Sequence, residues 1–272
     1  MANPQYCRLS VLGLTPFTPS NGEARFFALR LPRPSGAAWS NWRPGQFVML
    51  RPDSFGLELP WGRPMCICHV TDGCLICFFQ SLGRGTRRMA ALKRGDPVSL
   101  WGPLGNGFSV EEDAPTLLLA GGMGIAPFVG YVNTHPKPWN VAMLFGHREA
   151  LECYPVNNIN EFIALESYLE SGPGDLRIFV DAVRARMRDC AEHNGLVLAC
   201  GPAPFLRVVR DFSLALKMRA QLSLENAMAC GVGACLGCAA KTTQNWPVPE
   251  KRGHPVQVCR QGPVFWADQV EL

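Results

Sequence analysis

The chain has 272 residues, a net charge of +4, 12 cysteines and an apolar fraction of 47%. That length suits more than one domain, and basic residues scattered along the chain exclude the clustered footprint of a nucleic-acid binder. Met1 to Ser10 is polar and lacks the apolar core of a signal peptide, so the cysteines predict reduced thiols and metal ligands in the cytoplasm, not a disulfide framework.

The first hundred or so residues read as short strands at 25–31, 46–50, 66–70, 75–79 and 97–101, punctuated by Pro, Gly, Asp and Asn. Only 84–92 has a helical period. Many short strands at this spacing predict a β-barrel or sandwich. The pattern changes at 113–115. A buried strand at 117–120 leads into a helical stretch. Then come a strand at 141–145, a helix at 160–170, a strand at 176–180 and a helix at 182–193. A strand at 196–199 and a helix at 204–216 close the series. Strands alternating with helices predict a doubly wound parallel sheet. The run 116–132 is uncharged and mostly apolar, but it is short of the ~20 residues of a membrane span and glycines interrupt it. The last fifty residues lack strong periodicity. The expected division is a β domain over 1–112, an α/β domain over 113–220 and a small domain over 221–272.

That last segment holds Cys230-x4-Cys235-x2-Cys238, with Cys259 about twenty residues later. This is the plant-type spacing for a [2Fe–2S] cluster, in which each iron takes two thiolates. Gly231, Gly233 and Gly237 let the backbone wrap such a group closely. A zinc site remains an alternative, although structural zinc favours paired C-x2-C knuckles and only one is present. A cluster moves one electron at a time, so the chain is predicted to move electrons. Cys66, Cys68, Cys74 and Cys77 could form a second metal site across a hairpin; the sparer reading is small apolar side chains on strands. His69 and His147 read as ordinary strand-end residues.

Two glycine turns follow buried strands. Gly121, Gly122, Gly124 and Ala126 lie in Ala120-Gly-Gly-Met-Gly-Ile-Ala-Pro127, which opens a helix and suits a phosphate or ribose. Cys200, Gly201 and Pro202 begin Cys200-Gly-Pro-Ala-Pro204. Ligands of doubly wound sheets bind at the carboxyl ends of the strands, so both turns point to one crevice. In the β domain, Arg63 heads Arg63-Pro-Met-Cys-Ile67 and suits a bidentate phosphate contact. Gly83, Gly85 and Thr86 lie in Gly83-Arg-Gly-Thr-Arg87, a second phosphate-cradling turn.

Together these motifs resemble the ferredoxin–NAD(P)+ reductase superfamily. They are most similar to the electron-transfer subunits of class 1B dihydroorotate dehydrogenases. The resemblance covers nearly the whole chain. It is carried also by Gly102-Pro-Leu-Gly-Asn-Gly-Phe108, by Ser223-Leu-Glu-Asn-Ala-Met-Ala-Cys-Gly-Val-Gly-Ala-Cys-Leu-Gly-Cys238 and by Val258-Cys-Arg-Gln-Gly-Pro-Val-Phe265. It implies a ferredoxin-reductase-like β-barrel, a doubly wound parallel sheet and a small C-terminal [2Fe–2S] domain.

The resemblance also implies cofactors and a partner. FAD would have its diphosphate at Arg63 and Gly83–Thr86, and Pro64, Met65, Cys66 and Ile67 would lie along the isoalloxazine. NAD(P)H would bind at Gly121–Ala126 and Cys200–Pro202, and Cys230, Cys235, Cys238 and Cys259 would hold the cluster. The implied function moves electrons between NAD(H), FAD and the cluster, to or from a flavin-containing dihydroorotate dehydrogenase catalytic subunit of pyrimidine biosynthesis. The assembly would be a heterotetramer away from nucleic acid and membrane. Rival readings are a subunit of a hydrogenase or ferredoxin–NADP reductase complex, and a non-enzymatic flavin and cluster relay. Two departures stand out. Cys66 replaces the family's usual serine, and no glycine-containing run follows the expected strand at 176–180.

Overall fold

Alternating apolar positions build seven strands in the first part of the chain: β1 (Gln5–Ser10), β2 (Gly13–Phe17), β3 (Phe26–Pro32), β4 (Phe47–Pro52), β5 (Arg63–Val70), β6 (Cys74–Gln80) and β7 (Pro97–Leu104). The structure is a computed structural model and describes residues 5–19 and 22–272. The seven strands form one antiparallel sheet in the order β1-β7-β4-β5-β6-β3-β2. Its edge strands do not pair with each other, so the expected barrel is a curled half-barrel. Register shifts at Phe47/Met49 and Ile67/His69 bend β4 and β5. The inner face buries Val48, Leu50, Ile67, Leu75, Cys77 and Leu100 completely. Two short helices join the strands, α1 (Ala37–Ser40) and α2 (Arg84–Ala90).

The second part alternates as expected. In order come β8 (Thr116–Gly121), a 3-10 turn (Gly122–Ile125), α3 (Ala126–Thr134), β9 (Val141–His147) and α4 (Asn157–Asn160). Then come β10 (Leu165–Leu169), α5 (Pro173–Glu192), β11 (Leu196–Cys200), α6 (Ala203–Ala215) and β12 (Arg219–Ser223). The apolar run 116–132 is thus a buried strand, a turn and a helix. Among the described residues no helix is long and apolar enough to cross a membrane. The strands stack in the parallel order β10-β9-β8-β11-β12. Strand order reverses between β8 and β11, which places the binding crevice beyond Gly121 and Cys200.

Two expected elements are corrected. The helix at 160–170 is the end of α4 followed by strand β10. The strand at 176–180 is the second turn of α5, whose buried residues Phe179, Val183, Met187 and Cys190 recur every three or four positions. The third strand of the sheet is therefore β10. The run after it, Glu170-Ser-Gly-Pro-Gly-Asp175, contains two glycines. The glycine-containing run expected after the third strand is thus present, after β10.

The C-terminal part holds β13 (Ala239–Lys241), β14 (Pro255–Gln257), α7 (Val258–Gln261) and β15 (Val264–Trp266). Strands β13 and β14 pair only with each other. Strand β15 returns to the large sheet and pairs antiparallel with β12. The boundary expected at 220/221 therefore falls inside a strand. The half-barrel docks on the α/β part through α3, where a Cβ on Gly130 would lie 2.5 Å from the Trp42 ring and 2.8 Å from the Cys68 carbonyl oxygen.

Candidate functional site

The two strand-end turns meet as the topology requires. Cys200 is in register with Ala120 across β11 and β8. A Cβ on Gly124 would lie 2.0 Å from the Cys200 carbonyl oxygen, and one on Gly201 would lie 3.1 Å from Gly121 Cα. Only hydrogen side chains allow the turns to nest so closely. Gly122 also takes φ +53°, a conformation that favours glycine.

Above this nest lies a cavity of about 500 Å³ between the three parts of the chain. Pro64, Met65 and Cys66 face it from the half-barrel, Ala126 and Cys200 from the turns, and Ser223 to Met228 from the segment entering the cysteine loop. Ile67 does not: it is fully buried in the half-barrel core. Sequence reading missed Glu225 as a cavity residue. It is open to the cavity yet crowded by the walls, and that burial pushes its carboxyl pKa upward. The Cys66 thiol points to the carbonyl oxygens of Ile67 at 3.6 Å and Gln46 at 3.9 Å. Burial first, then the neighbouring Cys200 thiol, raise its pKa well above the ordinary value. It is a neutral thiol already directed at its own backbone.

Arg63 and the Gly83 turn, far apart in sequence, come together. A Cβ on Gly85 would lie 2.5 Å from Arg63 Nε, so the guanidinium lies directly on the turn. It is oriented by the carbonyl oxygens of Trp61 at 2.9 Å and Gly62 at 3.2 Å, and by the Phe55 ring at 5.4 Å. Thr86 Oγ1 accepts from the Leu82 and Gly83 N–H groups, closing the turn. The N–H groups of Arg84 and Gly85 begin α2 without intrahelical partners. A fixed guanidinium beside free N–H groups fits a diphosphate. Arg63→Ala should weaken FAD retention roughly tenfold to hundredfold, the size of one charge-assisted contact. Full retention of FAD by the variant through dialysis and gel filtration would remove Arg63 from this role.

The four loop cysteines do not gather at one point. Among the described residues no three His, Cys, Asp or Glu side chains are placed to hold one metal ion. Backbone contacts group them in two pairs instead: Cys235 with Cys230, and Cys259 with Cys238. Two thiols per iron is the arrangement a [2Fe–2S] cluster needs. Cys238 and Cys259 are buried and Cys235 is exposed. Backbone N–H groups of Val232 and Cys235 donate to Cys230 Sγ at 3.5 and 3.4 Å, and that of Cys259 donates to Cys238 Sγ at 3.5 Å. Burial raises the Cys230 pKa, but these backbone donors outweigh it and bring it down to about 7. Burial and the Cys238 thiol push Cys259 up to about 12. Gly231 and Gly233 take φ +72° and +84°. Cβ atoms there would strike Met49 at 2.5 Å and Arg260 at 2.4 Å. Gly237 is under no such constraint.

Of the hairpin cysteines other than Cys66, Cys68 and Cys77 are buried in packed cores, and Cys74 Sγ points to the Leu75 carbonyl at 3.7 Å. His69 packs edge-on to Trp42, and His147 bonds the Glu149 carbonyl oxygen at 2.8 Å.

Comparison with known proteins agrees with this geometry. The family model for the iron–sulfur cluster binding domain of dihydroorotate dehydrogenase B matches residues 225–271. The electron-transfer subunit of dihydroorotate dehydrogenase B (NAD(+)) from Caldanaerobacter subterraneus subsp. tengcongensis is 33% identical over 227 residues, 84% of this chain and 86% of that one. The chain belongs to this family. The subunit of the same description from Clostridium acetobutylicum is 31% identical, covering 85% and 87% of the two chains. Among solved structures, NADH-dependent reduced ferredoxin–NADP oxidoreductase is similar in fold, with a TM-score of 0.77 at 21% identity over 97% of this chain and 89% of that one. Ferredoxin–NADP+ reductase from Plasmodium falciparum gives 0.61 at 12% identity, over 77% and 90%.

Proposed function

We propose that this chain is the electron-transfer subunit of a dihydroorotate dehydrogenase, passing electrons between NAD(H) and a flavin-containing catalytic partner. The observation that carries the reading is continuity: residues 223–228 line the cavity and run straight into Cys230. A ligand in the cavity therefore lies one short segment from the cysteine pairs. Bound here, FAD would exchange a hydride with the nicotinamide and single electrons with the cluster.

The chain's own residues do the positioning. Arg63 and the Gly83–Thr86 turn would anchor the diphosphate, and Pro64, Met65 and Cys66 would bound the ring. The turns at Gly121–Ala126 and Cys200–Pro202 would seat the nicotinamide nucleotide. Glu225 keeps a carboxyl at the cavity wall, and the four thiolates would hold the cluster. Mixed with the catalytic subunit from the same organism, the chain should co-purify with it and couple orotate formation to NAD+ reduction. Alone it should reduce artificial acceptors with NADH and leave dihydroorotate unoxidised. Failure to bind or couple would favour a different oxidoreductase complex.

NADH is the favoured nucleotide on one contact. Glu170 follows β10 at the carboxyl edge of the sheet, its N–H bonded to the His147 carbonyl oxygen at 2.7 Å. Its carboxylate holds Arg148 Nε at 3.3 Å and is mostly buried, while Arg148 is open to solvent. An acid at a strand end suits ribose hydroxyls and repels a 2′-phosphate, and it occupies the arginine that would otherwise attract one. Glu170→Gln should lower the NADH-over-NADPH preference in kcat/KM about tenfold, the equivalent of one charge-assisted hydrogen bond. An unchanged preference would place selection elsewhere.

A further inference from the structure

Trp101, in β7, joins two parts of the site that the chain keeps far apart. Its indole N–H donates to the carbonyl oxygen of Cys230 at 2.9 Å. The far edge of the same ring lies against Gly62, where a Cβ would stand 2.6 Å from it. Gly62 and Trp61 supply the carbonyl oxygens that orient Arg63. One side chain thus touches the backbone that aims the diphosphate arginine and the backbone that carries the first loop cysteine. The ring packs beside the core containing Phe47, Met49, Leu104, Cys238 and Cys259. Gly231 follows Cys230 and closes on Met49 and Leu104 so tightly that only glycine fits.

We infer that Trp101 is a positioning residue that fixes the cysteine loop against the half-barrel and so sets the one-electron step between the flavin and cluster sites. The inference rests on the function proposed above. The Cys230 carbonyl faces the half-barrel, and without the indole it loses its partner there. The loop would then hold Cys230 less firmly, and electron transfer weakens steeply as its two ends move apart. A hydrogen bond on the peptide of a ligand residue also tunes the group that ligand holds. The turns proposed to seat the nicotinamide belong to the α/β part while the indole lies on the half-barrel, so the hydride step is the less affected of the two. Electron balance is unchanged: two electrons enter with the hydride, the proton leaves to solvent, and the electrons depart singly.

The test uses the full chain with two substitutions that reach the indole from opposite sides. Trp101→Phe keeps an aromatic ring and deletes the N–H. Gly62→Ala keeps the N–H and displaces the ring. In protein freed of its cofactors, hydrogen exchange of the amides in 229–238 should quicken about fivefold, the loss of one hydrogen bond. In loaded Trp101→Phe, the paramagnetic signature of the reduced cluster should shift. Stopped-flow traces should show flavin bleaching by NADH within twofold of wild type and cluster reduction slowed about fivefold. A cluster that is present but keeps its exchange pattern, spectrum and reduction rate in both variants overturns the inference alone. Wild-type protein without iron and labile sulfide would overturn the functional reading beneath it.

Discussion

Cys235→Ser should abolish the paramagnetic signal of the reduced cluster. Wild-type protein purified without oxygen should carry about two irons and two sulfides per chain, the content of one [2Fe–2S] centre. Cys235 is the exposed member of the outer pair, and its backbone N–H bonds the sulfur of Cys230. The ligand is a thiolate, and a serine hydroxyl remains protonated at neutral pH. The substitution therefore leaves one iron with a single cysteine. Exposure also makes the change informative, because a serine at this position opens no cavity in the core. FAD retention should be unaffected, since Arg63 and the Gly83 turn lie on the half-barrel. Flavin bleaching by NADH should persist while delivery to one-electron acceptors collapses. Stoichiometric zinc with no labile sulfide in fresh protein would sink the assignment.

Gly124→Ala should act on the nucleotide end with comparable severity. The new Cβ would lie 2.0 Å from the Cys200 carbonyl oxygen and 2.8 Å from the Gly201 nitrogen. Both are backbone atoms at the end of a buried central strand, so neither can swing aside as a flexible side chain would. Forced overpacking of this kind costs about 1–3 kcal/mol or more. The thermal midpoint should fall by roughly 5–10 °C for a chain of this size. Displacing the two turns by even about 1 Å should slow NADH-driven bleaching roughly a hundredfold. Gly73→Ala, in a hairpin turn with nothing within 4 Å of the new methyl, is the matched control and should behave as wild type. A Gly124→Ala protein with wild-type bleaching and melting would show that the turns tolerate separation.

The sites were more legible in the sequence than some of the elements that carry them. The cysteine spacing and the glycine turns are chemical signals, fixed by what a cluster or phosphate demands. Strand β10 was hidden because a five-residue edge strand with half-exposed Glu166 and Tyr168 offers little alternation, and residues 157–160 before it are helical. The start of α5 misled for a different reason. Leu176, Ile178, Phe179 and Val180 form a β-like cluster when taken alone. Only the spacing from Phe179 through Val183 and Met187 to Cys190 reveals the helix. Strands β1 and β12 are short, and β1 alternates half-buried with exposed positions. Trp101 and Glu225 carried no local signal, since their meaning lies in contacts with residues distant in the chain or in a shared cavity.

Strand β15 has a bearing on protein engineering. It donates three residues to the edge of the nucleotide sheet, pairing Gln221 with Trp266, Leu222 with Phe265 and Ser223 with Val264. The Leu224 N–H then reaches the Pro263 carbonyl oxygen at 2.8 Å, and Arg210 Nε on α6 reaches the Val270 carbonyl oxygen at 2.8 Å. The cysteine-bearing segment is therefore no detachable cartridge. A chimera cut at residue 220 would sever β12 and expose a raw edge on the donor sheet, inviting aggregation. A graft meant to lend this electron outlet to another reductase has to carry the parallel sheet with it, from residue 113 to the last strand.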